Sequence, residues 1–168
     1  MERKSEENNL WKSCKGIFIG TSNNNLEELL ERLIEFVKRN NDILVMVADE
    51  KFLQYIMSIK ADMFVIGTCG DNFENTVNIY AKKNDVSNYE VWKMISNLIW
   101  DLTTFTTSEV CPYCHSDHLR ILTDGKGEKI YKSCDTCFAI EEQGQSIPRP
   151  KEIFPADKKI LYKLKYYN

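Results

Sequence analysis

Two Cys-x-x-Cys pairs, Cys111-Pro112-Tyr113-Cys114 and Cys134-Asp135-Thr136-Cys137, stand 19 residues apart in a chain of 168. Each pair makes a tight turn that aims two thiolates at one point. Two such turns complete a tetrahedron around one metal ion, with metal–sulfur distances of about 2.3 Å. The residues between the pairs have the pattern of a hairpin: a strand over 118–122, a turn over 123–127 that contains Asp124-Gly125, and a returning strand over 128–133. The expected cofactor is Zn2+, held by Cys111, Cys114, Cys134 and Cys137. Four thiolates leave no open coordination position for water, so this zinc is expected to be structural rather than catalytic. Iron could take the same donor set. A thioredoxin-like redox centre would instead need a Cys-x-x-Cys opening a helix after a strand. His115 and His118 are the only histidines in the sequence, and four cysteines already fill the shell without them.

Residues 109–142 resemble zinc ribbons as a broad superfamily. Such ribbons occur in RNA-polymerase subunits, transcription factors, ribosomal proteins and nucleic-acid enzymes. The resemblance implies work on nucleic acid or within a nucleoprotein complex, without naming a reaction; many ribbons simply hold protein partners together.

Charge follows the same division of the chain. Residues 1–110 carry 12 Lys+Arg against 17 Asp+Glu, whereas residues 111–168 carry 10 against 8. Arg149, Lys151, Lys158, Lys159, Lys163 and Lys165 interleave with Phe154, Tyr162, Tyr166 and Tyr167. Basic side chains neutralise phosphates and aromatic rings stack on unpaired bases, which makes these six cations candidate nucleic-acid-binding residues. The competing reading is a final strand over 160–167 whose alternating faces pack on the rest of the protein.

The first part of the chain reads as an α/β domain. Residues 1–14 form a polar lead-in. Continuous apolar runs at 16–20, 43–48 and 63–67 have strand length, and 75–82 is a candidate fourth strand. Between them lie helical stripes: Leu26, Leu29, Leu30, Leu33, Ile34 and Val37, then Phe52, Leu53, Ile56 and Met57. A last helix opens at Ser87, where Ser87-Asn88-Tyr89-Glu90 has capping-box spacing, and buries Val91, Ile95, Leu98 and Leu102. The order β-α-β-α-β points to a mostly parallel sheet with flanking helices. The expected organisation is thus a lead-in at 1–14, an α/β domain at 15–105, a zinc ribbon at 109–142, and a loop and basic-aromatic segment at 143–168.

Chemistry in the first domain is restricted by what it lacks. Residues 1–110 contain no histidine, P-loop or Gly-x-Gly-x-x-Gly, which removes histidine-based acid–base catalysis and the common phosphate-binding loops. The turn at 20–25 could offer a helix N-terminus to an anion. Asp49, Glu50 and Asp71 follow expected strands, where carboxylates could converge on Mg2+ or Mn2+. Here GIFIGTSNNNL and ADMFVIGTCGDNF resemble the first strand and the Gly-Asp motif of NYN/PIN-like ribonucleases. That resemblance implies a metal-dependent nuclease using Asp49, Glu50 and Asp71. The chain departs from the pattern at Gly20, where the family has its first aspartate, and at Asn72, which leaves the motif one acid short.

The expected function is a non-catalytic accessory or adaptor protein of a nucleic-acid-processing complex, whose partners are nucleic acid or a larger protein assembly. A PIN/NYN-like nuclease and a pure protein-interaction factor are the alternatives. No apolar run approaches the roughly 18 residues of a membrane helix, and the N-terminus has no apolar signal core. With metal-binding cysteines, this predicts a reducing cytoplasmic or nuclear compartment. Cys14 and Cys69 are expected to be plain thiols.

Overall fold

The computed structural model describes residues 3–19, 25–66 and 72–167. The chain divides into two compact units, one of Met1–Asp62 with Gly70–Leu102, the other of Met63–Cys69 with Thr103–Asn168. The described residues of the first unit are helical: α1 (Arg3–Ile19), α2 (Leu26–Arg39), α3 (Asn41–Leu44), α4 (Glu50–Ser58), a 3-10 turn begun at Ala61, α5 (Phe73–Ala81) and α6 (Asn88–Thr103). None of these helices is long and apolar enough to cross a membrane.

The expected mostly parallel sheet is not there. The only sheet among the described residues is six-stranded, antiparallel throughout, and belongs to the second unit. Each run read as a strand in the first 102 residues has another fate. Residues 16–19 are the end of α1, whose buried Leu10, Trp11, Cys14, Ile17 and Phe18 recur at helical period. The lead-in residues from Arg3 onward belong to the same helix. The run at 43–48 closes α3 and a turn, with Ala48 N–H bonded to Leu44 O at 2.8 Å. Only Leu44 of that run is buried, while Met46 is 74% exposed. Residues 75–81 lie in α5. At 63–66 no strand forms; Phe64 is buried and Val65 packs on the apolar cluster of the second unit. Gly20 and Gly67 lie outside the described residues. A short apolar run has no period, so sequence alone cannot tell a buried strand from a turn of buried helix.

The helices that carried a full apolar stripe form where expected. α2 buries Leu29, Leu30, Leu33, Ile34, Phe36 and Val37, and is capped by Asn25, whose Oδ1 accepts the Glu28 N–H at 3.1 Å. α4 buries Leu53 and Ile56. α6 buries Val91, Trp92, Met94, Ile95, Leu98, Ile99 and Leu102, and Phe52 meets Trp92 and Trp100 edge-on. Its capping box is made: Ser87 N–H reaches Glu90 Oε2 at 3.1 Å and Glu90 N–H reaches Ser87 Oγ at 3.3 Å. Cys14 is wholly buried, and desolvation pushes its thiol up to about 12, as fits an inert core thiol.

The second unit strings β1 (Phe105–Val110), β2 (His118–Thr123), β3 (Ile130–Ser133), β4 (Ile140–Glu142) and β5 (Gln145–Ser146) in sequence order. A further strand, β6 (Phe154–Pro155), pairs with β2 beyond the end of β1. The chain then forms α7 (Lys158–Lys163). The strand expected over 160–167 is therefore a helix and its closing turn: Asp157 caps it, accepting the Ile160 N–H at 2.9 Å, and Leu161 is buried with Ile121 and Ala156.

Candidate metal centre

The two Cys-x-x-Cys pairs sit where the ladder ends. Cys111 follows β1 and Cys134 follows β3, so strand pairing through β2 brings the two turns together. A bulge in β1 between Thr106 and Val110 sets the approach. Inside it Thr107 is buried, donates its hydroxyl to Leu119 O at 3.0 Å and accepts the Glu109 N–H at 3.0 Å. Such a bulge re-aims the residues that follow it.

The four sulfurs all lie within 4.8 Å of one another. Cys111 Sγ stands 3.6 Å from Cys137 Sγ, and Cys114 Sγ 3.6 Å from Cys134 Sγ. A regular tetrahedron with metal–sulfur bonds of about 2.3 Å has edges of about 3.8 Å, so the four thiols can hold one metal ion. Cys111 and Cys134 are buried with Leu119 at the base, while Cys114 and Cys137 lie nearer the surface. His115 and His118 are both exposed and neither joins the cluster.

Backbone amides prepare the sulfurs for negative charge. Cys111 Sγ accepts from the N–H groups of Cys114 and Tyr113, Cys134 Sγ from those of Cys137 and Thr136, and Cys137 Sγ from that of Ala139. Burial pushes the Cys111 thiol up, but its two amides and the neighbouring thiols outweigh this and bring it down to about 7. Burial pushes the Cys134 thiol up to about 12 despite its own amides. Cys111 is thus readier to ionise than Cys134 and Cys137, whose thiols are raised, and a bound cation would draw the protons off.

Side chains that the sequence did not single out fasten the two turns. Asp117 O accepts the Cys111 N–H at 2.8 Å, and Asp117 Oδ2 accepts the Thr136 hydroxyl of the other turn at 3.1 Å. Arg120 of β2 pairs with Asp135, between the second pair of ligands, at 2.8 Å. Asp117 carried a usable signal: an aspartate just ahead of a strand favours a turn held by its own carboxylate, and its Oδ1 takes the His118 N–H at 2.7 Å. The residues that follow each ligand pair, His115 and Phe138, both have left-handed backbone, at φ 54° and 60°.

The remaining sequence candidates separate. Lys158, Lys159 and Lys163 lie on α7 and Lys165 in the turn that ends it; Arg149 and Lys151 are exposed on the loop before β6. Of the four aromatics named with them, Phe154 is buried in β6 and Tyr166 is turned inward, whereas Tyr162 and Tyr167 are exposed. Two of the three acidic candidates stand at the start of a helix. Asp49 is the N-cap of α4, accepting the Phe52 N–H at 2.8 Å, and Glu50 is that helix's first residue, accepting from Gln54 at 3.3 Å. No strand precedes either of them among the described residues. Asp71, and residues 20–24 of the turn at 20–25 proposed as an anion site, lie outside the described residues, and Asn25 caps α2. The chain matches no protein-family model, no curated protein and no solved structure.

Proposed function

We propose that the second unit is a zinc ribbon built on a structural Zn2+ with four cysteine ligands, and that the chain serves as a non-catalytic adaptor or accessory protein in a nucleic-acid-processing complex. One observation carries the metal assignment: four sulfurs within 4.8 Å of one another, at the ends of antiparallel strands. Four sulfur donors in a near-tetrahedral cluster favour zinc over the hard cations, which prefer oxygen. The shell is full, so the ion stabilises the fold and binds no substrate.

A small sheet unit of this kind draws folding energy from its metal. Reduced, freshly purified protein is expected to carry about one zinc per chain. A strong chelator is expected to remove it and abolish amide-exchange protection in β2 and β3. Metal-free protein with both strands still protected would refute the assignment.

The adaptor role is supported by the closed metal shell and by the exposed cations at and before α7. For the nuclease alternative, Asp49 and Glu50 stand at the start of a helix rather than at a strand end. Affinity capture of the chain from its native cell, after cross-linking, is expected to recover nucleic acid or subunits of a nucleic-acid-processing complex. Recovery of neither would reject this role.

A further inference from the structure

We propose that the outward face of α7 and the turn that ends it bind single-stranded nucleic acid, with Tyr162 stacking on a base and Lys159, Lys163 and Lys165 neutralising backbone phosphates. The inference deepens the nucleic-acid side of the function proposed above and rests on it.

The surface is produced by how α7 packs. Leu161 is buried and Ile160 packs beside it against Ile121 and Ala156. At 100° per residue, the side opposite these two carries Lys159, Tyr162 and Lys163. Both lysines are exposed, and Tyr162 is 68% exposed. The one carboxylate at the start of the helix, Asp157, is engaged as its N-cap. The helix then closes on Lys165, at φ 63°, with Lys165 N–H bonded to Tyr162 O and Tyr166 N–H bonded to Leu161 O, each at 3.0 Å. This turn sends Tyr166 inward, where its ring lies 6.0 Å from that of Phe105 and its hydroxyl donates to Glu109. It leaves Lys165 and Tyr167 outside. None of the three lysines pairs with a carboxylate among the described residues.

Unpaired cations alone would suit any polyanion, so the ring among them decides the ligand. Lys159 and Lys163 stand one helical turn apart, about 6 Å along the axis, comparable to successive phosphates of an extended strand. Tyr162 lies on the same face with an open ring that makes no aromatic contact among the described residues. In a duplex the base faces are covered by their neighbours, whereas an unpaired strand offers them for stacking. Phosphate and base-face contacts do not read the sugar, so the ligand is an unpaired strand of either sugar.

The test is fluorescence anisotropy of the whole chain with labelled 15-mers of thymidine and uridine, and with a duplex of equal length, over a salt series. Both single strands are expected to bind alike and at least tenfold more tightly than the duplex, with a log K against log salt slope of about −2 for three phosphates. Tyr162→Ala is expected to lose fivefold or more in single-strand affinity, as stacking contributions imply, while Tyr162→Phe holds it. Lys159→Gln with Lys163→Gln is expected to reduce the slope by about 1.4. Unchanged zinc content and melting temperature verify the fold of each variant. Equal binding of duplex, or equal competition by polyglutamate, would overturn the proposal. Single-strand binding that none of these variants weakens would remove this face but leave the nucleic-acid function standing. Absence of binding to every oligonucleotide at low salt would remove both and leave a protein partner.

Discussion

The hydroxyl of Tyr166 donates a hydrogen bond to Glu109, 57 residues away in the chain and two before Cys111. Lys132 of β3 lies 2.5 Å from the other oxygen of the same carboxylate. Together Lys132 and Tyr166 hold the Glu109 carboxyl below its usual range. One carboxylate thus joins β1, β3 and the C-terminal turn. Tyr166→Phe is expected to lower the stability of the second unit by about 1 kcal/mol, the scale of one net hydrogen bond. The effect stays small because the Glu109 side chain is 40% exposed and screened. Chemical denaturation followed through the sheet would check this, and no loss at all would mean the bond is not held in solution.

Gly125 and Gly144 make a controlled pair. Both have left-handed backbone, at φ 82° and 77°, but a Cβ on Gly125 would meet the Phe154 ring at 2.8 Å, whereas one on Gly144 meets nothing within 4 Å. Gly144→Ala is expected to cost about 1 kcal/mol, the backbone term alone. Gly125→Ala adds overpacking against a buried ring and is expected to cost about 2–4 kcal/mol. Equal losses in thermal unfolding would contradict the contact with Phe154.

Phe138 is 73% exposed yet held at φ 60°, directly after Cys137. A left-handed backbone is costly for a bulky residue and free for glycine. Phe138→Gly is expected to stabilise the second unit by about 0.5–1 kcal/mol. Phe138→Ala, which keeps the strain and loses little contact, is expected to change it hardly at all. A marked loss in Phe138→Gly would show that the ring packs on the fold.

The capping box of α6 makes the helical unit sensitive to acid. Hydrogen bonds from the Ser87 backbone and then its hydroxyl hold the Glu90 carboxyl below its ordinary value of 4.5. A carboxylate depressed in the folded state contributes stability that is complete above that ordinary value and is lost as pH falls through the lower folded value. Glu90→Gln is therefore expected to narrow its stability gap from the parent as pH drops from 6 to 3. Ser87→Ala is expected to cost about 1 kcal/mol at neutral pH. Titration of Glu90 by NMR gives the folded value directly, and one at or above 4.5 would contradict the box.

The four-cysteine cluster was legible because its information is local. Two Cys-x-x-Cys turns and an Asp124-Gly125 hairpin specify their own geometry over a few residues, and the hairpin forms with Arg120 opposite Ser133 and Thr123 opposite Ile130. The same holds for α2 and α6, whose stripes and caps repeat over several turns. The basic segment was legible in composition but not in conformation: whether Tyr166 or Tyr162 faces outward depends on α7 and on its closing turn at Lys165.

By itself, the sequence determined the four sulfurs, the hairpin between them and the amphipathic helices, since each follows from residue chemistry at short range. Tertiary packing decided what the apolar stretches at 16–19 and 43–48 became, because a few consecutive apolar residues fit a strand or a helix equally well until a partner surface selects one. It also took Asp49 and Glu50 out of any common edge, by starting a helix where a strand end had been expected.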